Sequence, residues 1–102
     1  MGGTKSEELI RFAEAAGIAK SMVEDCRNAK TRDESMAAHL RDLIDRTILS
    51  HAQTRILLIA AFDFSIGHVQ IVHLWCDGFV NDKEFEEHLF SNFDDHWNTT
   101  DL

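Results

Sequence analysis

Proline is absent from this chain of 102 residues, and only two cysteines and five glycines occur in it. Without proline, no ring breaks the apolar run from Arg55 to Trp75. The two cysteines, Cys26 and Cys76, are far apart and fit no metal-ligand spacing, so they are read as small buried hydrophobes in a reducing compartment. Basic residues are also scarce, 10 against 18 acidic ones, and the formal net charge of −8 sets the protein against nucleic acid and anionic membrane. No charged segment, apolar stretch and cleavage site follow Met1, Gly2 and Gly3, so residues 1–5 are expected to be a flexible leader of a cytoplasmic protein. The Arg55 to Trp75 run is long enough to span a bilayer, but Asp63, His68, Gln70 and His73 would make insertion expensive, and it is read as core.

What is present fits one soluble globular domain over residues 1–102, with 44% hydrophobic and 27% charged residues. Capping signals divide it into about four helices. Thr4 or Ser6, with Glu7, opens a first helix whose apolar face runs through Leu9, Phe12, Ala13, Ala16, Ala19, Val23 and Cys26. Thr31 and Glu34 read as the cap of a second helix starting near Arg32 and carrying Met36, Leu40, Leu43, Ile44 and Ile48. A bend is expected between Ser50 and Thr54, where Ser50 and Gln53 could cap a new helix.

For Arg55 to Trp75 a helix competes with a hairpin turning at Ser65 to His68. The spacing favours the helix, because at 100° per residue Asp63, Gln70 and His73 share one narrow polar stripe. A helix apolar around the rest of its circumference must be surrounded by protein, and a chain of this size has little to surround it with. A helical homodimer follows as an expectation, with Ile56, Ile59, Phe62, Ile66 and Val69 at its interface. Asp77-Gly78 supplies the next turn. Val80, Asn81, Glu84 and Phe85 then form a capping box with a hydrophobic staple, starting a last helix near Asp82 that carries Phe85, Leu89, Phe93 and Trp97 and frays over residues 98–102.

No cofactor or metal is expected. His73 to Glu84 can be laid on a calcium loop, but His73 and Trp75 stand where the ion needs oxygen ligands. Glu84 and His88 are a helical pair of the di-iron type with no matching pair elsewhere. His73 lies near Cys76, but no third orienting group or glycine-rich oxyanion loop accompanies them, so the chain is read as a non-enzyme.

Charge is more informative. From Asp77 to Leu102 there are eight acidic residues and one basic residue, Lys83, a net of −7. Five aromatics, Phe79, Phe85, Phe90, Phe93 and Trp97, share that segment, more than one helix stripe can bury. Glu86, Glu87, Phe90, Asp94, Asp95 and Trp97 therefore form the candidate surface for a basic or apolar protein partner. The expected function is that of a regulator that binds and inhibits such a partner, for example an antiactivator of a transcription factor or another nucleic-acid-binding protein. A small-ligand or metal-binding bundle using His73, Glu84 and His88, or an assembly subunit, are the alternatives.

Overall fold

A computed structural model describes residues 5–91, and in them the chain is all-helical and compact. Six α-helices follow one another: α1 (Lys5–Ala15), α2 (Lys20–Thr31), α3 (Met36–Asp45), α4 (His51–Phe62), α5 (Ile71–Cys76) and α6 (Asp82–Phe90). A single 3₁₀ turn, His68–Gln70, leads into α5. The count exceeds four because two of the expected helices are broken.

The first break is at Gly17. Its φ of +86° lies in the left-handed region, which glycine enters without a Cβ penalty, and the amides of Gly17 and Ile18 close back onto the carbonyls of Glu14 and Ala13. The Gln53 side-chain amide donates to the Ala16 carbonyl at 3.1 Å, satisfying another terminal acceptor of α1. The expected continuous face from Leu9 to Cys26 therefore belongs to two helices, and Phe12 is exposed while Ala13 and Val23 are buried.

The start of α3 also moves. Thr31 is the last residue of α2, and Arg32 and Asp33 complete its C-terminal turn. The cap of α3 is Ser35, whose hydroxyl accepts from the Ala38 amide at 3.2 Å. The later caps match the sequence. Ser50 and Gln53 close a reciprocal capping box on α4, and Asn81 and Glu84 do so on α6, with Phe85 buried beneath half-buried Val80 as the staple requires.

The second break falls inside Arg55 to Trp75, which is neither one helix nor a hairpin. The helix stops at Phe62, and Asp63 adopts φ 57° with its amide bonded to the Ile59 carbonyl at 2.8 Å. A continuing helix would offer the Ala60 and Ala61 carbonyls to the amides of residues 64 and 65. Arg27 of α2 takes both acceptors instead: its Nη2 donates to the Ala60 carbonyl and its Nε to that of Ala61, each at 2.9 Å, while its Nη1 reaches the Ser6 hydroxyl at 2.8 Å. Freed from the helix, the chain turns through Ser65, which accepts from the His68 amide through both its carbonyl and its hydroxyl at 3.1 Å.

With those turns made, α4 sits at the centre, packed against α1, α2, α3 and α5. Thr54, Leu57, Leu58, Ala60, Ala61 and Phe62 are all buried. The lone polar member, Thr54, donates its hydroxyl to the Ser50 carbonyl at 2.9 Å. Most of the apolar circumference of α4 is thus covered within one chain. Of the five residues expected at a dimer interface, Phe62 and Val69 lie in this core, Ile56 and Ile59 are half-buried against it, and Ile66 is exposed.

Left-handed residues punctuate the fold about every 15 positions, at Gly17, Asp33, Thr47, Asp63 and Gly78. Of the helices they close, α1, α2, α3 and α5 end alike, the amide after the left-handed residue bonding the carbonyl five positions back, whereas α4 ends on Asp63 itself. Thr47 is the strained member, because a β-branched side chain opposes φ 57°. Thr47→Gly is expected to raise stability by about 1 kcal/mol in chemical denaturation, since relieved strain outweighs the added chain entropy. Replacing Arg27 should act the other way. Arg27→Met is expected to cost about 2 kcal/mol, and Arg27→Lys should recover less than half of that, because an ammonium cannot fork two carbonyls as a guanidinium does.

Candidate interaction surface

The surface expected at the last helix divides in the structure into internal fasteners and outward residues. Glu86 is a fastener. Its Oε1 accepts from the Met36 amide at 3.2 Å and its Oε2 from the Ser35 hydroxyl at 3.0 Å, so the carboxylate caps the positive end of α3 and ties α6 to it. Phe90 is another. Its half-buried ring meets Phe62 edge-on at 5.4 Å and Phe64 at 5.8 Å, with the Lys30 ammonium 4.9 Å above its centroid. Neither projects sideways toward a partner as the sequence suggested. Glu87 does remain exposed, with the Lys83 ammonium 4.0 Å away. Asp94, Asp95 and Trp97 lie outside the described residues, as do Phe93 and residues 98–102.

A third fastener went unseen in the sequence. The Trp75 and Phe85 rings stack at 4.1 Å with 7° between their planes, and the Arg41 guanidinium covers the other face of the indole at 4.5 Å from its centroid. One carboxylate oxygen of Asp82, the first residue of α6, accepts from both the Trp75 indole N–H and the Arg41 guanidinium, each at 2.8 Å. These two donors hold its carboxyl below the usual carboxylate range, the indole hydrogen bond contributing most. The capping pattern announced Asp82 as a helix start, but nothing near it in the chain announced Arg41.

The histidines are brought together differently from any metal pattern. His68 meets Phe64 at 4.7 Å and stacks on His88 at 4.9 Å, and the Leu89 carbonyl at 3.0 Å fixes the proton on its Nε2. Near-parallel imidazole planes do not aim two lone pairs at one point, and among the described residues no group of three or more His, Cys, Asp and Glu side chains could hold a metal ion. The Glu84 carboxylate is at the Asn81 amide, 3.0 Å away, engaged in its cap rather than paired with His88. His73 instead bonds Asp77 at 3.1 Å.

Both thiols are free. Cys26 is fully buried, its S–H directed at the Met36 sulfur 3.6 Å away, and burial pushes its pKa up to about 12. Burial also raises that of Cys76. Such thiols carry little thiolate at neutral pH, which suits packing and not nucleophilic chemistry. A depression of about 380 Å³ along α2 is lined by Ser21, Glu24, Asp25, Arg27 and Asn28, without the apolar walls usual in small-molecule sites.

Outward-facing apolar side chains are a clearer signal. Phe79 is 75% exposed and Ile66 70%, with Leu74, Ile48 and Phe12 exposed to a lesser degree. Phe79 is also fixed in place. Gly78, at φ +85°, bends the chain after α5 so that the Phe79 amide bonds the Leu74 carbonyl at 2.9 Å and the Gly78 amide bonds that of Trp75 at 3.1 Å. This closure sets the residue after the glycine over the one five positions earlier, and both members of that pair are apolar here. The sequence placed Phe79 among the aromatics but gave it no role. Its exposure follows from the turn, which directs Val80 to the core side and leaves Phe79 outside.

The Asp82 contacts carry a pH dependence. Its carboxyl titrates lower in the folded than in the unfolded chain, so its contribution is complete above the unfolded value of about 4 and is lost as pH falls through the lower folded value. Asp82→Asn is expected to lower stability by about 0.5–1 kcal/mol at pH 7, a modest loss because the carboxylate is solvent-exposed. The gap between the two proteins, followed by Trp fluorescence during urea unfolding, should narrow steadily below about pH 4. A search of family models, curated proteins and solved structures finds no match to this chain.

Proposed function

We propose that this protein is a non-enzymatic, cytoplasmic regulator that binds a positively charged protein and inhibits it, an antiactivator or inhibitor of a nucleic-acid-binding protein. The observation that carries the reading is the charge asymmetry: eight acidic residues against Lys83 alone from Asp77 onward. Nucleic-acid-binding surfaces are basic because they must neutralise phosphates, so an acidic surface competes for them directly. The reading is narrower than the sequence suggested. Glu86 and Phe90 hold the fold together, which leaves Glu87, with Asp94 and Asp95, to steer the partner.

Steering of this kind acts on the association rate and is weakened by salt. Affinity capture from a lysate of the source organism, with the bait immobilised through its N-terminus, should retain one stoichiometric partner. With that partner purified, the triple change Glu87→Gln, Asp94→Asn and Asp95→Asn should slow association about three- to tenfold at low ionic strength and leave the melting temperature unchanged. An association rate indifferent to salt, or an empty capture from well-folded bait, would remove the basis for the proposal.

A further inference from the structure

We infer that Leu74 and Phe79 form a docking ledge for a basic amphipathic segment of a partner protein, an assignment that rests on the regulatory reading above and places the apolar anchor which that reading lacked. Exposure alone would not carry this. Three further observations do.

First, the ledge is pre-organised. The backbone bonds from Phe79 to Leu74 and from Gly78 to Trp75 fix it on one side, and the Asn81 capping box fixes it on the other. Beneath it, Trp75 is locked between Phe85 and Arg41. A large aromatic held out by a rigid backbone loses little freedom on binding, the condition under which an exposed apolar group becomes an anchor.

Second, carboxylates flank it closely. Asp77 lies two residues before Phe79, and Glu84 reaches back so that its carboxylate sits at the Asn81 amide, two residues after it. Over residues 77–91 there are five acidic residues, Asp77, Asp82, Glu84, Glu86 and Glu87, against Lys83. Asp82 is matched by Arg41, Glu86 by the α3 terminus and Glu87 by Lys83, leaving Asp77 and Glu84, the two carboxylates nearest the ledge in the chain, to set the field over it.

Third, that field selects the occupant. A second copy docking ledge to ledge would bring two such acidic rims together, and anionic membrane is repelled in the same way. A segment with apolar residues on one face and Lys or Arg beside them satisfies both the ledge and its rim.

The test is an NMR titration of the whole ¹⁵N-labelled protein with a synthetic amphipathic helix of about 14 leucines and lysines, beside the same helix with glutamate in place of lysine. Saturable shifts centred on Leu74, Gly78, Phe79 and Asn81 are expected with the lysine peptide only. Phe79→Ser should weaken binding at least tenfold without changing the melting temperature. Glu84→Gln, which keeps the cap while removing the charge, should weaken it severalfold and reduce its salt dependence. Shifts centred elsewhere, unchanged affinity of Phe79→Ser, or equal binding of the glutamate peptide would overturn the ledge. So would concentration-dependent shifts at residues 74–79 without peptide, which would give the surface to a second copy. The two readings fail separately. A cellular partner captured equally well by Phe79→Ser overturns the ledge and spares the regulator, whereas a ledge that binds the lysine peptide while the lysate capture stays empty keeps the ledge and removes the regulator.

Discussion

The guanidinium of Arg27 is the constraint on which the arrangement depends. By occupying the last acceptors of α4, it ends the most apolar helix of the chain where its own sequence would have let it continue. A helix running on from Phe62 would project its second half away from α1 and α2, leaving an apolar cylinder that a chain of this size could not cover. Stopped there, α4 is short enough for α1, α2, α3 and α5 to surround it, and the chain beyond it folds back over the core. One cation from α2 thus joins an interruption in backbone hydrogen bonding to the closure of the core.

The second half of the chain is then fastened by polar groups at the ends of helices. Glu86 caps α3 from α6, Asp82 gathers Trp75 and Arg41, and His68 reaches the Leu89 carbonyl from the 3₁₀ turn. Each links segments distant in the chain at a backbone terminus or a side chain that would otherwise lack a partner. Much of the acidity of α6 consequently has structural employment. The carboxylates left beside the aromatic ring that the turn at Gly78 leaves outside are Asp77 and Glu84.

Legibility followed the range of the interaction. The caps at Ser50 and Asn81 and the staple of Val80 and Phe85 were readable because each involves residues three to five apart, whose partners are already present in a local window. The cap assigned to Thr31 fitted the same pattern, but Arg32 and Asp33 close the end of α2 and Ser35, with Glu86 behind it, provides the better start. Phe90 was taken for an outward residue because a helical wheel cannot foresee Phe62 and Phe64 arriving from another element.

The sequence by itself determined that the chain is helical, that its charge excess is acidic and gathered after Cys76, and where helices begin when side chain and backbone cap each other locally. These are properties of composition, period and short-range hydrogen bonding, and no distant residue is needed to express them. Tertiary structure alone decided where α4 ends, which carboxylates are fasteners and that Phe90 turns inward onto Phe62. Each depends on a partner 20 to 50 positions away: Arg27 for Ala60 and Ala61, Glu86 for Met36, Arg41 for Asp82. A helix stop of this kind is written in the acceptors' distant donor and not in the residues that stop.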